Sequence, residues 1–146
     1  MQLQHPAQLI LWYFIAYFVV TLIGILHTIY NIYVKHLGSM KDGPGMGEAY
    51  EHTKPWHALY NLCIFPLCAW LYFNHLADPT WQDALITSLI WGTTTLIIDL
   101  IGWVLIKHPW SLSFKAFYID YQPWISLIYF VIYLSPFIAY GFMSFI

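Results

Sequence analysis

The feature that most constrains this chain is an apolar stretch at residues 84–106 that contains a single carboxylate, Asp99. A transmembrane helix needs roughly 20 consecutive apolar residues, so this stretch is long enough to cross a bilayer. A carboxyl group at that depth costs about 3 kcal/mol on insertion scales, so we expect it to face protein or a cavity rather than lipid. Helical spacing supports this, because small and polar residues recur on one face at intervals of three and four: Ser88, Gly92, Thr95, Asp99 and Gly102.

The composition excludes a soluble globular domain and a nucleic-acid-binding protein. Hydrophobic residues make up 60% of the 146 residues and charged residues make up 8%. The five basic residues are all lysines, too few for a nucleic-acid footprint. The sequence carries no recognisable haem or phosphate-binding motif, so we expect no cofactor.

Four segments are long and apolar enough to span a membrane: residues 9–34, 57–77, 84–106 and 124–146. The second and fourth contain Pro66 and Pro136, which membrane helices tolerate as kinks. We therefore predict an all-α integral membrane protein. It forms a single domain over residues 1–146, with its four transmembrane helices in a compact bundle.

The loop between the third and fourth spans predicts a further helix. Its aromatic residues recur at spacings of four, three and four: Trp110, Phe114, Phe117 and Tyr121. This spacing places them on one helical face and leaves most polar residues on the other. We predict a short interfacial amphipathic helix over about residues 110–121.

The lysines predict the orientation of the chain. All five fall in the loops at residues 35–56 and 107–123, which by the positive-inside rule are cytoplasmic. Lys41 and Lys115 are then inside, whereas both termini and the turn at residues 78–83 are outside. In that turn, Asp78 or Thr80 can cap the third span. We expect the protein in the cytoplasmic (plasma) membrane of a prokaryote.

Two intramembrane ionisable residues are the main candidates for chemistry. His27 lies eight residues before Lys35 and Asp99 lies eight residues before Lys107, which puts each about 12 Å from the cytoplasmic end of its helix. We predict that the two helices are adjacent and that these side chains pair, which offsets the cost of burying both. The pair could handle protons or anchor a ligand. It could equally be a polar clamp between two helices.

Other polar residues are predicted to complete a pocket near this pair. They come from all four spans: Asn31, Tyr60, Asn61, Thr95, Tyr129 and Tyr133. Tyr129 and Tyr133 follow helical spacing, and such a stripe also suits helix packing.

The cytoplasmic loops contain a second cluster of polar residues. Glu48, Glu51 and His52 share a helical face at i, i+3 and i+4, which is a partial metal-binding pattern. It lacks the spacing of a known zinc or di-iron motif, so a solvated loop without metal is the favoured interpretation.

The leading functional hypothesis is binding or translocation of a small amphipathic or lipid-like molecule in a pocket lined by His27 and Asp99. The first alternative is a membrane enzyme that acts on a lipid or isoprenoid substrate at the cytoplasmic face, with these residues as acid and base. The second is a non-catalytic membrane subunit or immunity-type partner whose polar stripe docks another helix. We expect membrane lipid and a small amphipathic ligand as partners, within a homo-oligomer or a larger membrane complex.

Overall fold

A computed structural model of the chain describes residues 5–39, 47–108 and 110–145, and the regular secondary structure in these ranges is all helical. The five α-helices are α1 (Pro6–Tyr33), α2 (Glu48–Glu51), α3 (Lys54–Phe73), α4 (Trp81–Asp99) and α5 (Trp124–Ser144). Two π-helical segments, characterised by i→i+5 bonding, are π1 (Leu100–Leu105) and π2 (Lys115–Ile119). The predicted all-α fold class is confirmed.

Within the described residues, three helices are long and apolar enough to cross a membrane. These are α1, α4 together with π1, and α5. Although α3 has 20 residues, its first half contains Trp56, His57 and Asn61, and it does not belong to this apolar set. Its bounds are nevertheless close to the predicted segment at residues 57–77.

Local sequence explains where helices begin and how they accommodate proline. Thr80 is the N-cap of α4, and its side chain and that of Asp83 bond each other's backbone N–H groups in a capping box. Pro136, inside α5, cannot donate to the carbonyl of Ile132 four residues earlier. The Ser135 hydroxyl donates to that carbonyl instead, across 2.8 Å. The helix therefore continues through the proline without an unsatisfied acceptor there.

The four long helices form a bundle in which α3 packs against α1 and α5, and α4 packs against α5. One end of the bundle, here called the turn end, holds the α3–α4 turn. Its core is filled by Tyr13, Phe65 and Trp91, whose ring centroids lie between 5.8 and 6.2 Å apart. The opposite end, here called the loop end, holds the C-terminus of α1, the short helix α2 and the described part of the α4–α5 loop. A cavity replaces the solid aromatic core there.

The amphipathic helix predicted over residues 110–121 is not formed over that length. Regular helix in this loop is confined to the short π2 segment, Lys115–Ile119. The backbone before it folds back on π1, since the Leu112 N–H donates to the Trp103 carbonyl across 2.8 Å. That bond satisfies an acceptor at the end of π1 in place of a local helical bond. Phe117, on the predicted apolar face, is buried in the bundle.

Candidate functional site

A series of three hydrogen-bonded contacts, here called the α1–α4 ladder, joins α1 to α4. Each contact links residues 82 positions apart: the Leu9 carbonyl with Trp91 Nε1 (3.1 Å), the Tyr13 hydroxyl with Thr95 Oγ1 (3.0 Å), and the Tyr17 hydroxyl with Asp99 Oδ1 (2.7 Å). Successive contacts are four residues apart on both helices, so α1 and α4 run parallel in a fixed register. Asp99 forms the last contact and is also the last residue of α4 before π1.

The Asp99 carboxylate accepts a hydrogen bond at each oxygen. Tyr17 donates to Oδ1 across 2.7 Å, and Tyr129 of α5 donates to Oδ2 across 3.0 Å. Trp103 of π1 donates its indole N–H to the Tyr17 hydroxyl across 3.1 Å. Asp99 is 6% exposed. Because a carboxylate oxygen has two lone pairs, each oxygen of Asp99 retains the capacity to accept a second donor.

No lysine that the structure describes pairs with Asp99. Each of these lysines has another partner: Lys35 the Tyr30 ring, Lys54 the Glu51 carboxylate, Lys107 the Val104 carbonyl and Lys115 the Asp120 carboxylate. Buried charges in proteins are normally paired, because taking an ion out of water is costly. Asp99 is therefore a buried acid whose partners in the described residues are neutral phenols.

A cavity of about 360 Å³ lies beside the end of the α1–α4 ladder, and its wall includes Tyr17, Thr95 and Asp99 of that ladder. From there it extends towards the loop end, along α1 and π1. Apolar side chains from α1, the α4–α5 loop and α5 make up much of the wall: Val20, Ile32, Leu112, Phe117, Ile125 and Ile128. Polar side chains face it at a few positions: Tyr17, Thr21, Thr28, His57, Asn61, Thr95 and Asp99.

The cavity is partly open rather than sealed. Ile25 and Ile29 of α1 line it while 48% and 43% exposed, and Trp110 of the α4–α5 loop lines it while 55% exposed. We call these three exposed residues of the wall the mouth of the cavity. All three are large and apolar or aromatic, so the mouth suits an apolar environment better than water.

His57 lies in the cavity wall and is held by two tyrosines. Its Nδ1 shares a hydrogen bond of 2.5 Å with the Tyr121 hydroxyl, to which the Tyr50 hydroxyl donates across 3.3 Å. Burial raises the pKa of Tyr50 to about 12 and raises that of Tyr121 well above its ordinary value, so both phenols are protonated at neutral pH. The other imidazole nitrogen, Nε2, packs against Gly24, where a β-carbon would lie 2.5 Å from it.

The direct contact predicted between His27 and Asp99 is wrong. His27 does not line the cavity, and its Nδ1 shares a hydrogen bond of 2.6 Å with the Tyr60 hydroxyl. The prediction assumed equal depth because each residue precedes a lysine by eight positions. The α1–α4 ladder sets a different register, in which Asp99 is level with Tyr17, about 15 Å along α1 from His27. His27 and Tyr60 instead form a separate α1–α3 contact.

Three of the predicted site residues line the cavity: Asn61, Thr95 and Asp99. A fourth, Tyr129, is outside the wall but donates a hydrogen bond to Asp99. Two further predicted residues lie elsewhere. Asn31 donates to the Ala49 carbonyl across 3.1 Å, which attaches α2 to α1. Tyr133 packs its ring against Gly92, and its carbonyl accepts a 2.5 Å bond from Ser88. These contacts give Asn31 and Tyr133 packing roles.

The predicted burial of the α4 stripe is confirmed for four of its five members: Ser88, Gly92, Thr95 and Asp99. Ser88 and Gly92 contact Tyr133 of α5. Thr95 and Asp99 contact α1 and line the cavity. These residues of the stripe therefore pack against helices of this chain.

The loop candidates for a partial metal site are separate from the cavity. Glu48, Glu51 and His52 are exposed, and the Glu51 carboxylate accepts a 2.6 Å bond from Lys54. Among residues 5–39, 47–108 and 110–145, no three His, Cys, Asp or Glu side chains are grouped to hold a metal ion.

Sequence reasoning missed Tyr17, Trp103 and His57 as site residues. A signal for Tyr17 was present, because Tyr13 and Tyr17 have the same spacing on α1 as Thr95 and Asp99 have on α4. Pairing these two sets would have predicted the register. No comparable pattern marks His57, whose position depends on how α3 packs against Gly24.

No family model, curated protein or solved structure matches this chain in our comparisons. The chemical capacity of the site follows from its geometry. The cavity can enclose an apolar group, and Asp99 in its wall can accept a donor from the polar end of the same molecule.

Proposed function

We propose that this chain is a four-span integral membrane protein that binds a small amphipathic or lipid-like molecule in the Asp99 cavity. The observation that supports this most is a cavity of about 360 Å³ with largely apolar walls and a buried carboxylate in one of them. Sites for small molecules typically have roughly 300–1,000 Å³, apolar walls and a few convergent polar groups. An apolar mouth formed by Ile25, Ile29 and Trp110 would admit such a molecule from the lipid phase.

The position of the α4 stripe favours ligand binding over docking of another protein helix. A docking face would leave its small and polar residues on the outside of the bundle. Ser88, Gly92 and Thr95 are instead buried against neighbouring helices of this chain. Because helices of this chain already cover the stripe, it is not free to dock another protein helix. This favours a binding site inside the bundle.

Binding is also favoured over acid–base catalysis. The alternative enzyme would need an acid and a base that both reach the substrate. His57 is the imidazole in the wall, but its Nδ1 is bonded to Tyr121 and its Nε2 packs against Gly24. Both nitrogens are therefore engaged or covered.

In the proposed topology α3 is the fourth spanning helix, second in chain order. Its 20 residues give a length of about 30 Å, which matches the hydrocarbon core of a bilayer. Its less apolar side chains are compatible with a span because α3 packs between α1 and α5. The loops at residues 35–56 and 107–123 are then cytoplasmic and the termini are outside. Lys41, which contributes to this assignment, lies outside the described residues.

Native mass spectrometry of the purified protein tests the proposed ligand. We expect the wild-type chain to retain a lipid or another small amphipathic molecule as a mass adduct. Ile25→Trp should abolish the adduct, because the larger side chain fills the cavity mouth. Leu26→Trp is the matched control, since Leu26 is the next residue on α1, is 55% exposed and lies outside the cavity wall.

The control should retain the adduct at the wild-type level. A wild-type protein without any adduct, or an Ile25→Trp variant with an undiminished one, would contradict binding in this cavity.

A further inference from the structure

The charges around the cavity are unbalanced. Asp99 is the acidic residue in the wall, and no lysine among the described residues lines it. The other ionisable groups of the wall are the His57 imidazole and the phenols of Tyr17, Tyr50 and Tyr121. The electrostatic complement of this wall is therefore a positive charge placed near Asp99.

Two aromatic residues of the cavity wall are connected to the carboxylate through the Tyr17 hydroxyl. Tyr17 and Trp103 both line the wall and are linked to each other by a 3.1 Å hydrogen bond. The face of a tyrosine or tryptophan ring attracts cations, more strongly when water is excluded. A carboxylate beside two such rings suits an organic cation better than it suits a neutral polar group.

We propose that the molecule held in this cavity carries an organic ammonium group on an apolar body. The ammonium group lies at Asp99, where each carboxylate oxygen can accept a second hydrogen bond. The apolar body extends past Thr21 and Ile128 towards the mouth. This assignment rests on the proposed function and specifies the chemical class of its ligand.

The geometry disfavours the other head groups. A carboxylate or phosphate would be repelled by Asp99 in a medium of low dielectric constant. An alcohol would leave the buried carboxylate without a counter-charge. A divalent metal ion requires about six oxygen ligands, and the described residues contain no cluster of acidic or imidazole side chains that could supply them.

A competition between three chain-matched probes tests the proposal. Purified full-length protein in a neutral detergent is mixed at pH 7 with equal concentrations of n-decylamine, 1-decanol and decanoate, and bound probes are counted by native mass spectrometry. We expect the amine to be retained at least about tenfold more than the alcohol, because both probes can donate a hydrogen bond to Asp99 but the ammonium group also supplies a counter-charge in a medium of low dielectric constant. A tenfold preference corresponds to about 1.4 kcal/mol. Decanoate should be retained least.

Three variants separate the role of Asp99 from general charge and folding effects. Asp99→Asn should reduce the preference for amine over alcohol to about onefold, because the substitution removes the negative charge and keeps the cavity. Asp78→Asn removes one negative charge from the exposed turn and should retain the wild-type preference. Thr21→Lys places a competing ammonium group in the wall and should lose the amine while it still binds the alcohol. Because Thr21→Lys leaves Asp99 unchanged, it tests the same assignment if Asp99→Asn does not fold.

The outcomes distinguish the two proposals. Equal retention of amine and alcohol by the wild type would overturn the ammonium assignment and leave the cavity as a binding site. An undiminished amine preference in Asp99→Asn, or in Thr21→Lys if Asp99→Asn does not fold, would have the same consequence. Failure of the wild type to retain any of the three probes would overturn the proposed function itself.

Discussion

Tyr17 and Asp99 are joined by a 2.7 Å hydrogen bond although 82 residues separate them in the chain. The bond is the last contact of the α1–α4 ladder, and both residues also line the cavity. Helix packing and the shape of the site thus depend on the same pair. Changes at this pair should alter both the stability of the bundle and the proposed binding of a ligand.

Tyr17→Phe should lower the free energy of unfolding by about 1–3 kcal/mol. The substitution keeps the ring but removes the donor to a buried carboxylate and the acceptor for Trp103, which leaves both groups less satisfied. Titration of the detergent-solubilised protein with a denaturing detergent measures this difference. Tyr33→Phe is the control, since Tyr33 is on the same helix and is 74% exposed. Equal stability of Tyr17→Phe and the control would contradict a structural role for the bond.

Gly24→Ala should destabilise the bundle by about 1–3 kcal/mol through overpacking. The new β-carbon would meet Nε2 of His57 at 2.5 Å, and the imidazole is fixed on its other side by Tyr121. Gly141→Ala is the control, because no atom lies within 4 Å of the corresponding position. It should be neutral or slightly stabilising, since alanine favours helix over glycine by about 1 kcal/mol. Thermal unfolding in detergent compares the two, and similar midpoints would show that α1 and α3 are not in close contact at Gly24.

The stability of the protein should decline between about pH 10 and pH 12. An unfolded tyrosine loses its proton near pH 10, whereas burial holds the pKa of Tyr50 at about 12, so the folded state keeps a proton that the unfolded state releases. The pKa of Tyr121 is raised for the same reason and adds to the decline. In Tyr50→Phe the loss of stability per pH unit should be smaller. Unfolding midpoints from pH 8 to pH 12 measure the slope, and a wild-type midpoint that is constant or rises over this range would refute the prediction.

Labelling of single cysteines should distinguish the two sides of the membrane. In a background where Cys63 and Cys68 are replaced by alanine, Asp78→Cys should react with a membrane-impermeant maleimide added to sealed cells. Lys115→Cys should react after permeabilisation alone, because the lysine-containing loops are proposed to be cytoplasmic. The opposite pattern would reverse the topology.

Sequence patterns predicted the helices and several of their ends. The apolar segments at residues 9–34 and 124–146 correspond to α1 and α5, since segment length and hydrophobicity are local properties. Capping by Thr80 and the freed Ile132 carbonyl also followed from local chemistry. The all-α class could therefore be derived without any knowledge of packing.

The register between helices could not be derived by counting from the lysines. Equal distance from a lysine implies equal depth only if both helices end at the same level. The contacts of Leu9, Tyr13 and Tyr17 with α4 instead fix an offset of 82 residues. Long-range contacts of this kind depend on side-chain fit across two helices, so the His27–Asp99 pairing failed although the burial of Asp99 was predicted correctly.

The π1 segment has a consequence for how this site can change in evolution. A π-helical turn holds more residues than an α-helical turn, and the bond from the Ile106 N–H to the Ile101 carbonyl shows that wider spacing directly beyond Asp99. Removing one residue from positions 100–102, before Trp103, would let the chain return to α-helical bonding and would rotate Trp103 away from Tyr17. The shape of the cavity wall thus depends on the number of residues in π1 as well as on their identities. A one-residue deletion there could change this shape even though every side chain that lines the cavity is retained.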